Sequence, residues 1–505
     1  MGNAAHYRQQ GHQHFQNKNL KEAVPFLQKA VAADEGDHES HALLANILKS
    51  TRYRDHAVAH IMTALTLQPE NLSYKKSFID IAGAVPLKAY NDIAANNLLN
   101  CLNTPGLDCA ELQGLWHSQI ARHPAFTGIY EEKKRGGPAV DLTQEKTMQA
   151  LLQPLFLKGL EQIVVIHKPF ENFITRIAKQ ILLLPDVNEE LAAAVSCYAF
   201  NTDFILDLAS DEMARLMRYA PRQHAKNNDS QIQPITPVTE GVSQKVQEQY
   251  EEFPYPRWTA PPPIAFDAEI RKILPEIPDV LVAGCGTGQE VIQLALSLPE
   301  AKILAVDLSR TSIAYAMQKA DAFGVANITF RHGDILALGS LAQRFDYITS
   351  MGVLHHLQDP LAGWQVLRSL LKDGGIMRIG LYSKAGRKDV VAARKEIARY
   401  GFSSTAEGMR DFRRKTAEIL PEKMLKALEL RRDYYTLAMC RDLLFHVQEH
   451  RYDISRIRRE LEVLNLSFMR FDAAADMRSL EEGARLEAEN PDTFKNMYKF
   501  WCRAC

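Results

Sequence analysis

The sequence predicts two unlike halves: an all-helical N-terminal half, then an α/β half whose sheet is parallel and doubly wound. Three observations predict this. Small and apolar residues recur every 34 positions across residues 11–69. Residues 73–240 carry helix formers at 3.6-residue spacing, as in 151–160 and 191–208, punctuated by Pro86, Pro105, Pro124, Pro138, Pro169 and Pro185. From residue 280 onward short apolar runs alternate with helical segments, and five such alternations require a parallel sheet.

A chain of 505 residues exceeds what one hydrophobic core supports, so two or three domains are expected. With 60 Lys+Arg against 61 Asp+Glu, no strong field favours a polyanion, and no nucleic-acid partner is expected. The local basic cluster Arg410, Arg413, Arg414, Lys415 reads as a solvated helix face. Seven scattered cysteines read as reduced cytosolic thiols, and Cys502-x-x-Cys505 has no second pair to complete a zinc site. No charged leader with an apolar core, no apolar run long enough for a membrane span, and His6 where N-myristoylation wants Ser or Thr predict a cytoplasmic protein with no membrane contact.

Within the repeat, Gly11 aligns with Ala45, Ala23 with Ala57, Leu27 with Ile61, Ala30 with Ala64 and Glu35 with Pro69, each 34 positions apart. The small residues belong where two antiparallel helices approach closely, and Leu27 and Ile61 fill the groove beside them. Residues 1–72 thus resemble the tetratricopeptide repeat. A third unit around Ile79, Asn91 and Leu98 lacks the small residues. The resemblance implies a surface for a protein or peptide partner or for a dimer contact. Residues 73–240 continue as a helical domain ending in a polar linker, 225–240.

Residues 241–264 form an aromatic and proline-rich clip, and 265–385 the α/β core. Strands are expected at 280–283, 302–306, 328–332, 345–350 and 376–381. A helix follows the first strand as far as Pro299. Ser309 caps the next, with Ile313, Ala316, Met317 and Ala320 as its apolar stripe and Gly324 as its stop. Asp359-Pro360 opens the helix before the fifth strand, and Asp373-Gly374-Gly375 is expected to turn the chain into that strand. Residues 386–455 read as a helical insertion, a candidate lid, and 456–505 as a closing helix with strands at 466–471 and 496–502.

The first strand ends in Gly284-Cys285-Gly286-Thr287-Gly288, which allows a tight turn and exposes bare backbone. Gln289 stands where a dinucleotide binder has its third glycine. Asp307 ends the second strand, Asp334 the third, and Ser350-Met351-Gly352-Val353-Leu354-His355-His356 follows the fourth. In this order the motifs resemble the class I S-adenosylmethionine (SAM)-dependent methyltransferases. The resemblance implies SAM as cofactor and S-adenosylhomocysteine as product, held by Gly284, Cys285, Gly286, Gly288, Asp307, Leu308, Asp334, Ile335 and Met351. Asp307 would accept from the ribose hydroxyls and Asp334 from the adenine amine. The chain departs from the family in having Val282 where an acid often precedes the first glycine.

Four residues are candidates for the chemistry: Tyr255, His355, His356 and His446. Tyr255 and Arg257 lie in the run Tyr250–Trp258, which either folds over the cofactor or clips the linker to the sheet. His355 and His356 follow the fourth strand, where an acceptor sits, and a histidine there can take the acceptor's proton or simply pack. The Asn/Asp-Pro-Pro-Tyr signature of enzymes that methylate adenine or amide nitrogens is missing after that strand. His446-x-x-Glu449-His450 spells an inverted zinc-protease motif inside a methyltransferase-like region, so no metal is expected. Its histidines are expected to share one helix face. The leading reading is a methyltransferase acting on a protein or peptide acceptor recruited by the repeats. The alternatives are a small-molecule or lipid-linked acceptor with a scaffolding helical half, and a non-catalytic interaction protein.

Overall fold

Helical patterning gives way to alternating strands and helices once along the chain, and the structure divides into two units. A computed structural model describes residues 2–83, 85–126, 128–130, 140–202, 206–220, 232–238, 241–252, 254–258, 266–472, 477–494 and 497–505. These form two compact units, Met1–Gln223 and His224–Cys505.

Among its described residues the first unit contains helices and no strand: α1 (Gly2–Gln16), α2 (Leu20–Ala33), α3 (His38–Leu48), α4 (Arg54–Leu67), α5 (Leu72–Ala82), α6 (Asp92–Leu102), α7 (Gln113–Arg122), α8 (Glu145–Leu151), α9 (Pro154–Gln162), α10 (Lys168–Leu183), α11 (Glu189–Asn201) and α12 (Ser210–Leu216). The 34-residue pattern marks contact positions. Ala23, Leu27 and Ala30 of α2, and Ala57, Ile61 and Ala64 of α4, are all fully buried. A β-carbon at Gly11 would stand 2.7 Å from the Leu27 side chain, so α1 and α2 meet there because residue 11 has none. Asp37, Asn71 and Asn91 cap α3, α5 and α6 by accepting a backbone N–H three residues on. Of the prolines expected to punctuate the helices, Pro138 lies outside the described residues.

The second unit is built on a seven-stranded sheet in the order β3-β2-β1-β4-β5-β7-β6. Helices α13 (Val242–Glu252) and α14 (Ala268–Ile273) lead into β1 (Asp279–Ala283), α15 (Gln289–Ser297), β2 (Lys302–Asp307), α16 (Arg310–Ala322), β3 (Ile328–His332), β4 (Phe345–Met351), α17 (Pro360–Ser369) and β5 (Leu371–Tyr382). The insertion carries α18 (Lys388–Tyr400), α19 (Ala406–Ile419), α20 (Glu422–Glu429) and α21 (Leu437–Cys440), then a π-turn at Arg441–Phe445. Last come α22 (Ile454–Val463), β6 (Leu466–Phe471), α23 (Leu480–Glu489) and β7 (Met497–Ala504). The first five strands are parallel and β7 is antiparallel to both neighbours. Sequence order reverses between β1 and β4, so a crevice opens at their carboxyl ends, where ligands bind in such sheets. Ser309 caps α16 and Asp359 caps α17, as their positions predict.

Four expectations need correction. β5 begins at Leu371, not after the Asp373-Gly374-Gly375 turn: Leu371 pairs with Phe345, and Gly374 at φ +68° absorbs the irregularity within the strand. Residues 221–231 and 239–240 of the expected linker lie outside the described residues, but 232–238 are no linker. Ile235 donates its N–H to the His332 carbonyl at 2.8 Å and His332 donates to Gln233 at 3.1 Å, so this segment covers the open edge of β3. The two compact units divide between Gln223 and His224, just ahead of this segment. The clip begins as a helix, since Val246 and Gln249 fall on one buried face of α13. Finally, His446 and His450 do not share a helix face, because the π-turn ends at Phe445 and residues 446–450 are irregular. Among the described residues no helix is long and apolar enough to cross a membrane.

Candidate active site

The crevice beyond β1 and β4 holds a cavity of about 290 Å³. One end is made by the turns that follow the strands. After β1 the chain passes through Gly284, Gly286 and Gly288 at φ +82°, +50° and +87°, a backbone path open to glycine. Gly284 and Gly288 are also fixed by packing: a β-carbon would stand 2.4 Å from Val353 and 2.5 Å from Ala316. Asp307 folds back onto this turn, accepting from Gly286 N at 2.7 Å and Ser309 N at 2.9 Å. Burial pushes its carboxyl up to about 6. Each of its oxygens keeps a further lone pair. Asp334, fully buried, accepts from Leu336 N at 3.0 Å, and Thr236 accepts the Asp334 N–H at 2.8 Å.

Of the nine residues expected to hold cofactor, Gly284, Cys285, Gly286, Asp307, Leu308, Asp334, Ile335 and Met351 line the cavity. Gly288 does not. It starts α15 and lets that helix pack on α16. Val282, the position where an acid often stands, is buried in the sheet core. The donor set suits SAM: bare backbone beside the turn, two carboxylates for hydroxyl and amine hydrogens, and an apolar wall from Leu308 and Ile335 for a ring.

The other end is assembled from distant segments. Glu251 accepts from Arg310 N at 2.6 Å and Thr311 N at 3.0 Å, seating α13 over the N-terminus of α16. Tyr250 and Tyr255 then face the cavity. The run is both wall and clip, because Trp258 donates to Thr287 O at 3.0 Å and Thr287 donates to Pro256 O. Arg257 does not line the cavity. From the insertion comes Asp442, whose oxygens accept from Tyr250 at 2.6 Å and Tyr382 at 3.0 Å. Burial raises both phenols well above their ordinary range.

The four candidate catalytic residues separate here. His356 lines the cavity, as does Tyr255. The His356 Nδ1–H donates to Gln448 O at 2.7 Å, which leaves the lone pair on Nε2, a buried atom with no protein partner. Burial lowers its basicity, so the ring is neutral at pH 7. His355 is not at the cavity. It accepts from Tyr382 N at 3.3 Å and lies against the Tyr382 ring, bracing the end of β5. His446 stands behind the wall, its ring stacked on His356 at 3.6 Å and its Nε2 3.2 Å from the Tyr250 hydroxyl. Sequence reading missed Tyr250, Tyr382 and Asp442 as site residues. Tyr250 had a signal in the dense aromatic run; Asp442 had none.

The doubly wound sheet with this turn, these two acids and this crevice has the architecture of a methyltransferase domain, and its donor set fits S-adenosylmethionine. The family model described as "Methyltransferase domain" matches residues 279–419. Among curated proteins, the chain is 32% identical over 263 residues to the uncharacterized protein syc1184_c of Synechococcus sp., covering 46% of this chain and 61% of that one. It is 34% identical over 113 residues to a ubiquinone biosynthesis O-methyltransferase of Cereibacter sphaeroides, covering 22% and 44%. Both matches therefore span less than two thirds of the relative. Among solved structures, PKMT2 from Rickettsia typhi in complex with AdoHcy aligns at 18% identity and TM-score 0.36, covering 47% of this chain and 52% of that chain.

Proposed function

We propose that the chain transfers a methyl group from SAM to a protein or peptide acceptor that the helical N-terminal unit recruits. One observation carries the catalytic part: a single cavity joins the glycine turn, Asp307 and Asp334 to a polar end where His356 presents a bare Nε2 lone pair. Bound at the first end, SAM supplies a methyl group on a cationic sulfur, open to in-line attack. Gly284 and Gly286 would lie against its amino-acid tail, Asp307 would accept from its ribose, and Asp334 would accept from its adenine beside Ile335. Leu308 and Met351 complete that wall, while Cys285 adds a small apolar surface. Tyr250 and Tyr255 exclude water from the acceptor end. His356 Nε2 receives the proton the acceptor releases, and its neutral state at pH 7 keeps it ready for that role. Alignment in a closed site supplies the rest of the acceleration.

Recruitment rests on the buried small residues that recur through α1–α4, the packing pattern of stacked helix pairs that hold peptides or partner helices. Reduced thiols and balanced charge support a cytoplasmic setting and no nucleic-acid partner. A second reading, a small-molecule acceptor, is favoured by the match to a ubiquinone biosynthesis O-methyltransferase. Intact cofactor and acceptor ends weigh against a non-catalytic interaction protein. The test is to incubate the full chain with methyl-labelled SAM and an extract of its source cells, then separate protein from small molecules. Label in a protein band is expected. Label confined to small molecules replaces the first reading by the second, and label in neither fraction sinks both.

A further inference from the structure

The acceptor end carries a buried carboxyl that no arginine or lysine bonds directly among the described residues. Asp442 is 4% exposed and lines the cavity. Its two oxygens each accept a phenolic O–H, from Tyr250 and from Tyr382. Among the described residues no ion pair includes Asp442. Arg387, whose guanidinium lies 3.7 Å over the Tyr382 ring, is bound instead to Glu449 at 2.7 Å. Arg394 also turns to Glu449, at 3.5 Å. Asp433 is a second acid beside it, its carboxyl raised to about 6 by burial and by Asp442 against the pull of Arg387, Arg431 and Arg432. Arg387 and Arg394 act on Asp442 through space without bonding to it, so its remaining lone pairs are left for a ligand in the cavity.

The polar atoms of His356, Asp442 and His446 all lie within 4.8 Å of one another. They do not offer three lone pairs to a metal. His446 Nδ1 accepts the Gln448 N–H at 3.1 Å, so its proton sits on Nε2, facing Tyr250. What remains is two hydrogen-bond acceptors, Asp442 and His356 Nε2, at one end of the cavity.

We propose that Asp442, supplied by the insertion, is the residue that selects the acceptor, and that the acceptor is an amine. The inference rests on the methyl-transfer reading above. A primary amine brings more than one N–H, one for Asp442 and one for His356. In the transfer its nitrogen lone pair forms the new bond to carbon, the carbon–sulfur bond breaks with its electrons going to sulfur, and the nitrogen's proton goes to His356 Nε2. The nitrogen gains positive charge on the way, which the adjacent carboxylate stabilises. A hydroxyl has one hydrogen, needed by the base, and would leave Asp442 facing oxygen lone pairs. A carboxylate acceptor would be repelled outright.

The probe is sinefungin, the SAM analogue in which a carbon bearing a protonated amine replaces the methylated sulfur. Calorimetry compares it with S-adenosylhomocysteine on the full chain. The wild type should bind sinefungin about tenfold tighter or more, the gain of a charge-assisted contact. Asp442→Asn and Asp442→Ser should keep S-adenosylhomocysteine affinity, which also reports folding, and lose the preference. Equal or weaker sinefungin binding by the wild type, or a preference unchanged in both variants, overturns the proposal and leaves the methyltransferase reading standing. A wild type that binds neither compound overturns both.

Discussion

The two ends of the cavity are built in different ways. At the cofactor end, each contributing residue sits at the end of a strand or on the turn directly after it: Gly284 after β1, Asp307 at the end of β2, Asp334 after β3 and Met351 at the end of β4. The parallel sheet sets their spacing, so short stretches of chain suffice. The acceptor end takes Tyr250 and Tyr255 from upstream of the sheet, His356 from after β4, Tyr382 from the end of β5 and Asp442 from the insertion. Its geometry exists only after distant segments dock, and hydrogen bonds such as Tyr250 to Asp442 hold it together. A local device can be read locally; an assembled one cannot. The two ends should also fail separately, one in affinity and the other in turnover.

Replacing His356 by Ala should produce the largest effect. Loss of a proton acceptor should lower turnover roughly 10²–10⁴-fold while S-adenosylhomocysteine affinity stays within about threefold. Radiolabel transfer and calorimetry on the same preparation check this, and parallel losses would mean that the ends are one unit. Asp307→Ala should do the converse, weakening SAM binding by about 2–3 kcal/mol with little change in turnover at saturation.

Gly288 sharpens the comparison within the cofactor end, because it belongs to the turn without lining the cavity. Gly288→Ala should cost about 1–3 kcal/mol of stability, from a strained φ and a clash with Ala316. Thermal unfolding should report it, and an affinity loss without a stability loss would return Gly288 to the cofactor contacts.

The smallest effect is with pH. Asp307 must be ionised to accept from a hydroxyl pair, and its carboxyl is raised to about 6 by burial, with Glu251 nearby adding to the rise. S-adenosylhomocysteine affinity should therefore be level above pH 7 and fall roughly tenfold by pH 5. Stability runs the other way. The folded chain binds more protons than the unfolded one between the ordinary aspartate range and about 6, so this group favours folding most at low pH and less as pH rises through that window. Asp433, raised to about 6 as well, adds to the stability trend but not to the affinity trend. Asp307→Asn should abolish the affinity dependence and keep part of the stability one.

The sheet was legible because its signals are local. Runs such as 280–283 are buried on both faces, and Ser309 and Asp359 announce their helices. The segment 232–238 misled because polar residues pairing with an edge strand look like a linker. His355 and His356 are adjacent in sequence and were indistinguishable there; which one faces the cavity depends on Gln448, 92 positions away. His446 and His450 misled because helical spacing counts only where the helix continues. Asp442 gave no signal at all, since its meaning lies in two tyrosines that reach it from distant segments.

The central claim is one cavity with a separable cofactor end and acceptor end. Titrating S-adenosylhomocysteine into the full wild-type chain, Asp307→Ala and His356→Ala tests it most directly. One site per chain, weakened only by Asp307→Ala, is the predicted result. No binding to the wild type, or equal weakening by both substitutions, would contradict it.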